Sequence, residues 1–158
     1  MKDLENKVAI VTGVGSGIGK AIALAFAAKG ATLGIGDIDE NLLSKTTDEI
    51  KTITSKVISI KTDVSSEDQV KKLIDETANT NGKLDVIVNN VSVAIGGYPI
   101  TDMTNEEWQK IIGINFSSVF YGCKHSIPHL KKNKGGSIIN IASVQAHTPL
   151  PGWAAYAG

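Results

Sequence analysis

An α/β fold built on a doubly wound parallel sheet is predicted by three features of the sequence. Short, β-branched apolar runs alternate with segments in which apolar residues recur at helical spacing. Those runs show little polar alternation, as expected of strands buried on both faces. A glycine-rich turn joins the first run to the first helical segment. Alternation of this kind implies right-handed crossovers and therefore parallel neighbours.

The run "KVAIVTG" is the first strand. From Gly17 to Lys29 the pattern puts Ile18, Ile22, Ala25 and Phe26 on one helical face, and Gly30 follows as a stop. The alternation continues with strand "ATLGIGD", a helix from about Glu40 to Thr54, strand "KVISIKTD", a helix from Ser66 to about Asn79, and strand "KLDVIVNN". A longer loop from Val91 to Thr101 leads to "TDMTNEEW", where Thr104 and Glu107 have the spacing of a capping box. Helical patterning then runs toward Lys132, with Pro128 expected to kink or end it. "GGSIINIAS" is the fifth strand. No repeat, low-complexity tract or linker divides the chain, so residues 1–158 read as one domain.

Composition narrows the function classes. Sixteen lysines offset sixteen acidic residues and arginine is absent, which gives no basis for a nucleic-acid partner or an anionic membrane surface. The start "MKDLENKVAI" lacks the long apolar stretch of a signal peptide, and no run reaches membrane-spanning length. A cytoplasmic protein is expected. Cys123 has no partner for a disulfide and reads as a small, inert core residue. His125 and His129 stand four apart, but Pro128 intervenes and "HSIPH" lacks the glutamate of a zinc-hydrolase helix. Two solvent-facing histidines account for the pair, His147 adds no ligand spacing, and no metal is expected.

The turn "TGVGSGIGK" carries glycines at 13, 15, 17 and 19. A P-loop is excluded twice over, because Val14 stands where its first glycine belongs and Ala21 follows Gly19-Lys20. The strict G-x-G-x-x-G pattern starting at Gly13 also fails, since Ile18 occupies its last position. G-x-x-x-G-x-G does fit, through Gly13, Gly17 and Gly19. Absent side chains there would let a pyrophosphate approach the backbone, and the amides opening the helix would face it. A purely structural turn remains the alternative. At the end of the second strand Asp37 lies eighteen residues beyond Gly19. Its carboxylate could accept from adenosine ribose hydroxyls and would repel a 2′-phosphate, which favours NAD over NADP. Gly15 and Ser16 in the middle of the turn offer that phosphate no basic group. Asp37 could instead cap the next helix, a task open equally to Asp39. Asp63 carries the same ambiguity, between a cap and an adenine contact at the edge of the sheet.

Taken in order, these residues resemble the short-chain dehydrogenase/reductase family, from "KVAIVTG" to the last residue. "TGVGSGIG" looks like its cofactor-binding glycine motif, including Gly13, Gly15, Ser16, Gly17, Ile18 and Gly19. Asp63-Val64 resembles its adenine contact, and Asn89-Asn90 the opening of its Asn-Asn-Ala-Gly segment. The resemblance puts Asn90 beside the cofactor; Val91-Ser92 replaces Ala-Gly and would crowd the neighbouring backbone. Asn115, Ser143 and Tyr156 match the catalytic residues, with Tyr156 thirteen positions after Ser143. The implied fold is a Rossmann-like doubly wound parallel sheet, here truncated after the fifth strand.

The implied activity is hydride transfer between an alcohol or ketone and a nicotinamide cofactor. Proton transfer at the substrate oxygen must accompany it. Tyr156 would exchange that proton and also contact the cofactor, Ser143 would hydrogen-bond the oxygen, and Asn115 would position a water-linked relay. Gln145 reads as a solvent-facing loop amide or a pocket residue. The family's Tyr-x-x-x-Lys pattern places a lysine four residues after the tyrosine, beyond Gly158. Without that charge an unperturbed tyrosine, with a pKa of about 10, is ionised only to the order of one part in a thousand near pH 7. The expectation is therefore an N-terminal piece of a longer, homo-oligomeric enzyme, with an inactive dinucleotide-binding product as the alternative. An exposed apolar edge is expected at the fifth strand.

Overall fold

The computed structural model describes residues 3–158. Five strands, β1 (Val8–Thr12), β2 (Thr32–Asp37), β3 (Val57–Lys61), β4 (Val86–Asn89) and β5 (Ser137–Asn140), form one parallel sheet in the order β3-β2-β1-β4-β5. Six α-helices connect or follow them: α1 (Gly17–Ala28), α2 (Glu40–Lys51), α3 (Glu67–Asn81), α4 (Asn105–Ile111), α5 (Ser118–Lys132) and the single turn α6 (Ala154–Ala157). The chain builds outward from β1 to β3, then returns to the other side of β1 with β4. Strand order thus reverses between β1 and β4, the place where open α/β sheets bind ligands outside their carboxyl ends.

Side chains along β1 alternate between two cores. Ala9 and Val11 join Leu33 and Ile35 of β2 beneath Ala23 and Ala27 of α1. Val8 and Ile10 join Ile87 of β4 beneath Leu73 and Ile74 of α3 and Leu130 of α5. This period of two, covered on both faces, is why the strand reads as an unbroken apolar run. Full burial of each Ile or Leu contributes about 1.5–3 kcal/mol.

The helices depart from expectation in five places. In α1 the buried residues are Gly19, Ala23 and Ala27, whereas Ile18 is 61% exposed. Small residues let the helix lie close to the sheet and push bulkier ones to its flanks. The second helix ends at Lys51, and α3 continues to Asn81, where Gly82 at φ 71° provides a left-handed stop. Between α4 and α5 the helix widens into a π-helical turn over Ile112–Ser117. Pro128 lies inside α5 without ending it; its side is exposed, so water can satisfy the carbonyl that loses its helical donor. The Thr104–Glu107 capping box is present.

Asp85 knots the end of the sheet remote from the glycine turn. Its carboxylate accepts from Val8 N at 2.9 Å, from Lys7 and Lys83 Nζ at 3.1 Å each, and from Asn133 Nδ2 at 3.1 Å. Burial opposes ionisation, but these four donors outweigh it and hold the carboxyl below the usual carboxylate range. At the other margin β5 forms an edge, with Ile139 41% exposed, as expected of this segment. Cys123 is half-buried on α5 rather than enclosed in the core. Among the described residues, no helix is long and apolar enough to cross a membrane.

Candidate active site

The glycine turn closes against the carboxyl ends of β1, β2 and β4. Gly13, at φ 69°, donates its amide to Gly36 O at 2.8 Å, while Thr46 of α2 donates its hydroxyl to Val14 O at 2.9 Å. A Cβ on Gly19 would run into Gly13 O and the Asn90 amide, so only glycine permits this approach of helix to strand. Asn90 donates Nδ2 to Thr12 O at 3.0 Å and to Gly13 O at 3.2 Å, and its own amide to Thr12 Oγ1 at 3.1 Å. Its side chain therefore staples β4 to the turn across the switch point. Sequence reading placed Asn90 beside a cofactor but missed Thr12, whose hydroxyl carries no recognisable signal until the two strands pair.

Ser16 opens α1 without making a side-chain cap bond. The amides of Gly17, Ile18 and Gly19 find no acceptor among the described residues. Gly15 is buried, with Asp37 Oδ2 and Leu42 Cβ both 2.9 Å from where a Cβ would stand. The helix-capping alternative for Asp37 gives way to Asp39, which accepts from Asn41 N and Leu42 N. Asp37 instead accepts from Gly15 N at 2.8 Å and from Asp39 N at 2.9 Å.

A cleft beside this turn is lined by Gly13, Asp37, Asp63, Val64, Val91 and Val93, with Ile38, Thr62 and Ile114 completing it. Asp63 Oδ1 also accepts from Ser65 N and Oγ, shaping the turn into α3. The structure thus gathers Gly13, Asp37, Asp63 and Val64 around one apolar-walled cleft. Val91 does crowd its floor: a Cβ on Gly13 would come within 2.8 Å of Val91 Cγ2. Ile38, Val93 and Ile114 went unnamed in the sequence because they are ordinary apolar residues that only the fold brings together.

Asn115 sits in the π-helical turn, whose extra width aims it back at the end of β4. Its Oδ1 accepts from Val93 N and its Nδ2 donates to Val93 O, both at 2.8 Å. One side chain thereby fixes the loop after Asn90. Ser143 leads a single 3₁₀ turn past β5, its Oγ accepting from Gln145 N at 3.2 Å, which leaves the hydroxyl proton free to donate. Tyr156 is half-buried on α6, its ring 6.0 Å from Trp153 in an edge-on arrangement. That helix packs against the turn headed by Ser143. Gln145 Oε1 is buried without a partner, contrary to a solvent-facing amide.

The two histidines face α3. Nε2 of His125 lies 2.9 Å from Glu67, and Nε2 of His129 lies 2.8 Å from Asp75. Because α5 continues through Pro128, both share one helical face, each taken by its own carboxylate. No group of three potential ligands occurs among the described residues.

A sequence model of the short chain dehydrogenase family matches residues 7–158. The chain belongs to that family. The 3-oxoacyl-[acyl-carrier-protein] reductase FabG of Thermotoga maritima is 35% identical over 154 residues, which are 98% of this chain and 62% of that protein. The 3beta-hydroxysteroid dehydrogenase 2 of Eggerthella lenta is 33% identical, over 97% of this chain and 59% of its own length. Among solved structures, a short-chain dehydrogenase/reductase from Burkholderia phymatum in complex with NAD superposes with TM-score 0.93 at 34% identity, over 99% of this chain and 56% of that one. The chain is therefore similar to oxidoreductases along its length, while spanning less than two thirds of these relatives.

Proposed function

We propose that this short-chain dehydrogenase domain binds NAD in preference to NADP and serves an enzyme that interconverts a small-molecule alcohol and ketone. The observation that carries the reading is Asp37, which stands at the end of β2 on the rim of the cleft, hydrogen-bonded to Gly15 N. A dinucleotide fits the residues present: the glycine cradle has no room for side chains at Gly15 and Gly19, and three amides at the start of α1 await an anion. In this reading Gly13, Ser16, Gly17, Ile18 and Gly19 surround the pyrophosphate, Asp37 accepts from the adenosine ribose, and Asp63 and Val64 meet the adenine. Asn90 holds the turn that makes the cradle.

When bound, the nicotinamide supplies or receives the hydride. The chain's own groups handle the oxygen. Ser143 donates a hydrogen bond to it, stabilising negative charge as it develops, and Tyr156 exchanges its proton. Asn115 keeps the loop past β4 in place and positions a water-linked relay. Tyr156 also touches the cofactor. The position four residues after Tyr156 lies beyond Gly158, and a lysine ammonium there would favour tyrosinate. Assembly with like chains is part of the proposal. Phe116 of the π-helical turn, 71% exposed, and, on α5, Phe120, 56% exposed, and Ile127 present apolar surface to solvent and support it.

Titration with NADH and NADPH, followed by quenching of tryptophan fluorescence, tests the cofactor preference. NADH should bind roughly tenfold tighter or more, since an unpaired carboxylate beside a phosphate loses about 1.4 kcal/mol or more. Equal binding, or a preference for NADPH, would reject the role given to Asp37.

A further inference from the structure

Both carboxylate oxygens of Asp37 are engaged by backbone amides. Oδ1 takes the Asp39 amide and fixes the carboxylate plane; Oδ2 takes the Gly15 amide across twenty-two positions of sequence. The second bond joins β2 to the middle of the glycine turn. Between Val14, tied by Gly36 O and the Thr46 hydroxyl, and Ser16, whose carbonyl accepts from Lys20 N, it is the one hydrogen bond on the Gly15 backbone among the described residues. Gly15 is buried and Leu42 closes its other side. Water is therefore poorly placed to replace a lost acceptor, and a charge-assisted bond of this kind is among the stronger ones available.

We propose that Asp37 is a positioning residue for the pyrophosphate cradle, in addition to any contact with the ribose. Its carboxylate holds Gly15, and through Gly15 it sets the direction in which the amides of Gly17, Ile18 and Gly19 point before a nucleotide arrives. This inference rests on the reading of the cleft as a nucleotide site. It couples cofactor choice to the order of the turn. A substitution that admits a 2′-phosphate by removing the carboxylate, and leaves no acceptor in its place, also releases the backbone that binds the phosphates common to NAD and NADP.

The test compares ADP with 2′,3′-dideoxy-ADP, which lacks the ribose hydroxyls. Toward the dideoxy compound Asp37 can act only through the turn, or through charge repulsion, whose removal would tighten binding. Calorimetric titration of wild type, Asp37→Ala and Asp37→Asn separates the two. Asp37→Ala is expected to weaken dideoxy-ADP by roughly tenfold, and Asp37→Asn, which keeps an acceptor oxygen without the charge, to recover most of that loss. Dideoxy-ADP binding to Asp37→Ala as tightly as to wild type, or tighter, overturns the positioning role while leaving the ribose contact intact. Failure of the wild-type chain to bind ADP overturns the nucleotide reading itself. Amide exchange in the ligand-free wild type provides a check that needs no variant: Gly15 N–H should be protected to the level of its neighbour Gly13, and free exchange there also overturns the proposal.

Discussion

The two ends of the candidate site are built differently. The proposed cofactor end, from Thr12 to Asp37, rises from a strand whose five residues are all buried, and its glycine turn is tied to other elements at Gly13, Val14 and Gly15. The proposed catalytic end rises from β5, where three of four residues are exposed, and its Ser143 and Tyr156 belong to single helical turns. Rigidity at the first end follows from its place in the middle of the sheet, since β1 has a partner on each side and a helix layer on each face. β5 has one partner strand. A cradle for phosphates must be preformed to be of use, because each amide has to face the same point in space; a hydroxyl that meets a substrate oxygen is aimed by elements packed around it. Within residues 3–158, the difference teaches that the proposed phosphate cradle is fixed by the core of the sheet, whereas Ser143 and Tyr156 are positioned by more exposed elements.

Gly19→Ala should break the comparison most severely. The added methyl meets the Gly13 carbonyl and the Asn90 side chain, neither of which can retreat without tearing β1 from β4. A loss of about 3 kcal/mol or more is expected, at the upper end of overpacking, read as a fall in the urea midpoint. Val144→Ala, at the catalytic end on a side chain 73% exposed, should stay within about 0.5 kcal/mol of wild type. Similar losses at both sites would show that the two ends are equally tight.

Asp85 supports the rigid end from below and brings a pH dependence with a definite sign. Its folded pKa is depressed, so its contribution is present above the unfolded carboxylate value, about 3.9, and disappears as the pH falls through the lower folded value. Asp85→Asn should lower stability at pH 7 by about 1–3 kcal/mol, because one neutral acceptor oxygen then replaces the two charged ones shared by Val8 N, two lysines and Asn133. Chemical denaturation at stepped pH should then show the gap between variant and wild type closing below about pH 4. A gap that persists undiminished would mean that the carboxylate's charge is irrelevant and only its shape matters.

Sequence alone revealed the order of elements, the glycine turn and Asp37, because each rests on a local pattern: an apolar run, a spacing of glycines, an acid at the end of a strand. What it missed was nonlocal. Ile18 fits a helical apolar stripe as well as Ile22 does, yet only the closeness of α1 to the sheet selects Ala23 and Ala27 for the core. Pro128 looks like a breaker until its side of α5 proves to face solvent. Nothing in "GINFSS" announces a π-helical turn, since the cause is the Val93 backbone, twenty-two residues upstream, which captures both polar atoms of Asn115. His125 and His129 looked like surface residues because the acids that engage them lie fifty or more positions earlier.

Those histidine pairs supply the smallest effect and the finest probe of the comparison. α3 covers β1 and α5 leads directly into β5 and Ser143, so these histidine–carboxylate hydrogen bonds between the helices tie the light end to the heavy one. Burial works against ionisation of Asp75, but hydrogen bonds from Lys71 and His129 prevail and its pKa is lowered. The pair is partly exposed, with side-chain exposures of 21% and 31%, so solvent screens it and a double-mutant cycle of His129→Gln and Asp75→Asn should give a coupling of about 0.3–1 kcal/mol. The site of the loss matters more than its size. If the pair anchors α5 to a core that is already rigid, amide exchange should quicken in β5 and in the last turn of α5 while β1 stays protected, since local opening draws on the least buried elements first. Equal acceleration in β1 and β5 would mean that the sheet opens as one unit, and that the catalytic end is as firmly held as the cofactor end.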